Sequence, residues 1–399
     1  MPKLALLRFI PFRRADILQM CLQEGQLDAE SLVKFKNGAR QIERHFRDDF
    51  HRAKHALKDA YFSLDPDADT RLVHLDNRDT ASSQDDLARQ VSELLERANY
   101  DKVTPEVLSK ALDSASLFDI RLVVNLDDFA EVLLYTRGAS EREEVIRGPF
   151  NLWRKTVRFV NYDRVVLYLR FKDEMNEDSS LAGCRPGATM LKLFQNVPDA
   201  DMEMLFPNTQ VGMRLRDKLM IGIPALVSGG VVLTTKLGAT LVLTGSLLGF
   251  WLGWHNDEVT LDRKAIIVLL AGAGTIGAYL WKQISNFKNR KLRFNEALTR
   301  NLYFKLLDNN AGVLYRLLDD AEESECKESL LAYYFLLAAH QPLSAQELDQ
   351  RIEVWFSQRW QCRLDFDVDD ALQKLAKLNL AYIDADYWHI SALSADVEG

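Results

Sequence analysis

Residues 219–281 constrain this chain more than any other stretch. LMIGIPALVSGGVVLTTKLGATLVLTGSLLGFWLGW is followed by a polar interval, HNDEVTLDRK, and then by AIIVLLAGAGTIGAYLW; apart from Lys236, neither apolar block carries a charge. Blocks of this length suit helices that cross a hydrocarbon layer about 30 Å thick. The pattern predicts an integral, multi-pass membrane protein. Bulk composition hides it, because 47% apolar residues and a formal charge of −8 describe an ordinary acidic chain.

The first block, Leu219–Trp254, is too long for one straight span and short for two. Pro224, Gly229 and Gly230 interrupt its first part, which places the first span at 231–253 and the second at 265–281. Arg214, Arg216 and Lys218 precede the blocks, and Lys282, Lys288, Arg290, Lys291 and Arg293 follow them, so both flanks read as cytoplasmic or matrix-side ends. Two spans follow from that symmetry, with three as the alternative through a turn near Thr234–Gly238. The setting is then a bacterial inner membrane or a mitochondrial membrane. Gly245, Gly249 and Gly253 form one small-residue stripe and Gly274 with Ala278 another, which predicts close helix packing within the chain, with homo-oligomerisation as the alternative. With no carboxylate or Arg inside either block, an oligomeric channel or transporter component is the weakest reading.

Around this hairpin the fold class is α+β. Residues 1–100 form an N-terminal helical region; within it Ile42, Phe46, Phe50, Ala53, Leu57 and Tyr61 recur at three- and four-residue spacings. Residues 101–208 are a mixed α/β region whose β-branched and aromatic runs, among them FAEVLLYTRG and TVRFVNYDRVVLYLRFKD, predict an antiparallel sheet. A basic juxtamembrane linker occupies 209–218. A basic then acidic helical region fills 282–340, and 341–399 form a winged-helix-like unit: a helix capped by Ser344 with Glu347, a second helix from DVDDALQKLAKLNL, and a hairpin around Ala385-Asp386.

No constellation of residues names a reaction, and the chain reads as more a binding protein than an enzyme. His51 and His55 stand one helical turn apart, but HRAKH lacks the glutamate of a zinc-peptidase motif. Asp199, Asp201 and Glu203 lack a calcium-loop period, and GAGTIG at 272–277 sits inside an apolar block and not between a strand and a helix. No metal or cofactor is therefore expected. Cys21, Cys184, Cys326 and Cys362 are scattered and read as free thiols. Arg13 and Arg14 follow an apolar run instead of preceding it, the reverse of a secretory signal. Glu322, Glu325 and Glu328, at three-residue spacing, form a candidate partner surface. Nucleic acid is not an expected partner, because Asp365, Asp367, Asp369 and Asp370 stand where a recognition helix would meet phosphate.

Three segments taken together, DMEMLFPNTQVGMRLRDKLMIGIPALVSGG at 201–230, LWKQISNFKNRKLRF at 280–294 and NLYFKLLDNNAGVLYRLLDDAEESECKESLLAYYFLLA at 301–338, resemble the family of transmembrane protein 143 and its bacterial and plant relatives, a domain of unknown function. The resemblance implies a membrane protein, mitochondrial in animals, with no activity to carry onto residues. The expectation from sequence is thus a membrane-anchored interaction or assembly protein, with the lipid bilayer and an unidentified protein as partners. A membrane-associated hydrolase or lipid-modifying enzyme is the alternative.

Overall fold

The computed structural model describes residues 6–69, 80–104, 121–147, 154–174, 184–212 and 302–391, together with positions 106 and 108 and single helical positions between 263 and 300. The chain divides into two units: Met1–Ser114 with Asn125–Asn208 and Lys305–Gly399, and Ala115–Val124 with Thr209–Phe304.

In the first unit the elements run β1 (Leu6–Leu7), α1 (Arg14–Gln23), α2 (Ala29–Tyr61), α3 (Thr80–Arg97) and β2 (Asp101–Lys102). The second unit contributes β3 (Arg121–Val123) and β7 (Gln210–Gly212), which pair antiparallel. The first unit continues through β4 (Phe129–Arg147), β5 (Arg154–Phe171), β6 (Thr189–Pro198), β8 (Leu306–Asn309), α4 (Ala311–Ala339), α5 (Ala345–Trp360), β9 (Arg363–Leu364), α6 (Val368–Lys377), β10 (Ala381–Asp384) and β11 (Tyr387–Ile390).

Helix α4 is the axis of this unit. Nineteen of its residues, from Val313 to Leu337, are buried, and α1, α2, α3, α5 and α6 all lie against it. Helix α2 turns Phe35, Ile42, Phe46, Phe50, Leu57 and Tyr61 to the core, as a three-to-four-residue apolar period requires of a helix packed on one side. The sheet, in the order β2-β4-β5-β6-β8, is antiparallel throughout, and β4 pairs with β5 over its whole length from Phe129↔Phe171 to Arg147↔Arg154. Burial of Val165, Val166, Leu167, Tyr168 and Leu169 in succession marks β5 as a strand covered on both faces.

The C-terminal elements run α4–α5–β9–α6 and end in the β10–β11 hairpin, the segment that the sequence reads as a wing. Ser344 and Glu347 form a reciprocal capping box at the start of α5. Ala385 and Asp386 take the left-handed conformation that a two-residue hairpin turn demands. Leu343 bridges to Trp388 of the wing, and β1 pairs in parallel with β9, which fastens the start of the chain to its end.

The membrane fold expected from the sequence is corrected to a mixed α/β fold. Among the described residues no helix is long and apolar enough to cross a membrane. The two longest described helices, α2 with 33 residues and α4 with 29, have ample length. Both fail on chemistry: α2 is charged along its outer side, and α4 carries Glu322, Glu323, Glu325, Lys327 and Glu328 at its middle, groups too costly to leave in hydrocarbon. Most of the expected hairpin, residues 219–262 with Gly245, Gly249 and Gly253, lies outside the described residues. Apolar composition alone does not establish a span, which also requires one continuous helix of about 20 residues. Gly274 and Ala278 are exposed helical positions, and nothing described lies within 4 Å of a side chain placed at Gly274. The two-span and three-span topologies, the bilayer as partner, the integral-membrane setting and the channel alternative go with this correction.

Candidate functional site

The sequence singled out Glu322, Glu325 and Glu328 as a surface for a partner. The structure puts the last two inside the protein, at 2% and 5% exposure, because α4 is surrounded by other helices and has no solvated face at its middle. Their partners come from the same chain. Arg97, the last residue of α3, donates from Nε to Oε1 of Glu325 at 2.8 Å and from Nη2 to Asp49 of α2 at 3.1 Å, and its guanidinium lies 4.2 Å from the centre of the Phe50 ring. Lys374 of α6 enters from the opposite side and pairs closely with both Glu325 and Asp370, while its Nζ is 4.0 Å from Oε2 of Glu328. Glu322 alone keeps partial exposure, 3.5 Å from Arg14 Nη1.

Local backbone chemistry aims these groups. Helix α3 ends in a left-handed Asn99, with the Tyr100 amide donating back to the Leu95 carbonyl at 2.9 Å. Asparagine tolerates that conformation. The reversal turns its side-chain Nδ2 onto Oε1 of Glu328 at 2.7 Å. Asp367 caps α6, accepting from the Asp370 amide, and Lys374 follows Asp370 by one turn on the same face.

These helices enclose a cleft of about 600 Å3 lined by His45, Phe46 and Asp49 of α2, Glu96 and Arg97 of α3, Glu325 of α4, and Asp367, Asp370, Lys374 and Lys377 at α6. Its electrostatics differ between floor and mouth. Burial pulls the Lys374 ammonium down, but Glu325, Glu328 and Asp370 outweigh it and hold the group above its ordinary range. Burial pushes the Glu328 carboxyl up to about 8 against the opposing pull of Lys374 and Asn99. At the mouth, Glu96 and Asp367 are exposed, and no cation among the described residues pairs with either.

Other sequence candidates are placed apart from this cleft. His51 and His55 are exposed with ring centroids 4.8 Å apart, and no group of three His, Cys, Asp or Glu among the described residues could hold a metal ion. Asp201 is buried and held by Lys305 at 3.3 Å. Cys21 and Cys326 are buried free thiols; burial pushes Cys326 up to about 12, a protonated and unreactive form. Three arginines of the sheet are paired within the chain: Arg137 with Asp320 and the Ala98 carbonyl, Arg158 with Glu143, Arg170 with Asp85. Lys327, a single cation in the acidic run of α4, is buried and donates to the carbonyls of Ile10 and Phe12 at 3.0 and 3.1 Å, tying down the N-terminal segment. Sequence reasoning missed Arg97 and Asn99 as partners of the acidic helix, because nothing local links residues more than 200 positions apart.

Residues 162–312 match the family described as Protein of unknown function (DUF3754). The match covers less than half of the chain and takes in most of β5, with β6, β8 and the Asn310–Gly312 turn into α4; every cleft residue lies outside it. No solved structure matches. The resemblance to the transmembrane protein 143 family implied a membrane protein, and this implication is corrected by the absence, among the described residues, of a helix able to cross a bilayer.

Proposed function

We propose that this protein binds a small cationic ligand, an amine or guanidinium compound, in the cleft between α2, α3, α4 and α6, without transforming it. The observation that carries the reading is the division of charge within the cleft. Two of the three lining cations, Arg97 and Lys374, are already committed to Glu325, Asp49 and Asp370, and the exposed carboxylates Glu96 and Asp367 at the mouth outnumber the third, Lys377. A half-open cleft of this size admits a small molecule, and its polar lining suits a hydrophilic one. The acidic residues that open α6 would repel a phosphate and attract an amine. The cleft presents no nucleophile paired with a base, so binding and not conversion is the chemistry it supports.

Isothermal titration of the full chain with spermidine and putrescine, and with a neutral diol of similar length, tests this. The expected result is saturable amine binding that the diol does not reproduce, that weakens as salt is added, and that falls about tenfold in Glu96→Gln/Asp367→Asn, two exposed changes that leave the core alone. Equal heats for amine and diol, or unchanged affinity in the double variant, would overturn the reading.

A further inference from the structure

The ion-pair cluster at and beneath the floor of the same cleft holds more acid than it has cations to neutralise. Four carboxyls, those of Asp49, Glu325, Glu328 and Asp370, face two cations, Arg97 and Lys374. Asp49 and Asp370 reach water, with side chains 36% and 48% exposed; Glu325 and Glu328 do not, at 2% and 7%. Glu325 receives both cations. Glu328 receives the neutral amide of Asn99 on Oε1, and only the distant edge of the Lys374 ammonium faces Oε2.

We propose a pH-dependent clasp between α6 and α4, closed while the buried Glu328 is protonated, so that alkaline conditions loosen α6 together with the β10–β11 hairpin that follows it. A buried carboxylate whose nearest cation stands 4.0 Å away is disfavoured, and the oxygen facing that cation is the one turned toward α6. Every charged neighbour enters the balance. On α4, Glu325 resists ionisation of Glu328, while Lys327 favours it from a distance, its own ammonium being held by Ile10 and Phe12. From α6, Lys374 favours ionisation and Asp370 resists it. Arg97 of α3 is spent on Glu325 and on Asp49 of α2. Burial decides the sum, and the carboxyl keeps its proton up to about pH 8. Opening α6 to water restores an ordinary acid, so the open form gains on the closed one by up to about tenfold per pH unit between the ordinary carboxylate range and the closed-state value. The clasp is therefore tightest in acid and is lost as pH rises through that value. It stands whether or not the cleft takes an amine.

Hydrogen exchange followed by mass spectrometry on the full chain, across about pH 6 to 9 and corrected for the intrinsic rate, tests it. Amides of Ala371–Leu375 should lose protection by up to about tenfold per pH unit and level off near pH 8, while those of Leu330–Leu336 in α4 hold theirs. Glu328→Gln, which keeps an acceptor for Asn99 and can never ionise, should flatten the slope. A flat wild-type profile, or the same slope in the variant, overturns the proposal. Should the variant fail to fold, infrared difference titration of the wild type decides alone: a protonated-carboxyl C=O band must disappear near pH 8, and its absence below that pH refutes the clasp.

Discussion

Gly38 sits inside α2, where local reasoning recommends alanine. A glycine in a helix interior costs about 0.8–1.0 kcal/mol relative to alanine, so Gly38→Ala should stabilise the protein if only the helix mattered. Tertiary packing reverses the sign. A Cβ on Gly38 would land in the ring of Tyr333, on Cε1, 2.6 Å from Cζ and 2.9 Å from the hydroxyl oxygen. Tyr333 cannot swing aside. It is fully buried in α4, stacks on Phe35 with centroids 6.2 Å apart, and donates its hydroxyl to the Lys34 carbonyl at 3.3 Å. Relief requires α2 and α4 to separate by roughly 1 Å along their shared contact. Overpacking of this kind costs about 1–3 kcal/mol and sometimes more; a contact this close with a rigid ring belongs at the upper end. After subtraction of the propensity gain, the variant should be about 2 kcal/mol less stable, a large share of a typical total of about 5–15 kcal/mol. Urea denaturation should show a lower midpoint with an unchanged slope. Adding Tyr333→Leu makes room for the new methyl group, so the double variant should be more stable than the sum of the single effects by about 1 kcal/mol or more. A rise in midpoint for Gly38→Ala, or strict additivity with Tyr333→Leu, would refute the argument that helix contact and not propensity governs this position.

Two further changes probe the joints that hold α4 and α5. Ser344→Ala removes the acceptor for the Glu347 amide and the partner of its carboxylate, and thermal melting should register a loss of about 1 kcal/mol; an unchanged midpoint would mean that the capping box does not contribute. Asn310 takes a strained backbone, φ 49° and ψ −124°, where β8 turns into α4; its Oδ1 accepts from the buried Leu191 amide at 3.1 Å and its Nδ2 donates to Asp67. Asn310→Ala should cost about 2–4 kcal/mol in chemical denaturation, and Asn310→Gly should cost less because glycine meets no steric penalty at that φ. Equal losses in the two variants would remove backbone strain from the account.

What the sequence determined by itself was local. The period of Ile42, Phe46, Phe50, Leu57 and Tyr61 marks the buried side of α2, Ser344 with Glu347 marks the start of α5, and Ala385-Asp386 marks a hairpin turn, because each signal lies within a few residues of the structure that it sets. Spacing also placed Glu322, Glu325 and Glu328 along one side of a helix. It could not say what covers that side, because Arg97 and Glu325 are 228 positions apart and Asn99 and Glu328 are 229. The same limit applies to the apolar blocks: a hydropathy run reports composition, whereas crossing a bilayer depends on an unbroken helix and on what surrounds it. Only the tertiary structure decided that Glu325 and Glu328 of α4 face inward, since burial and ion pairing are set by which distant helices close around it.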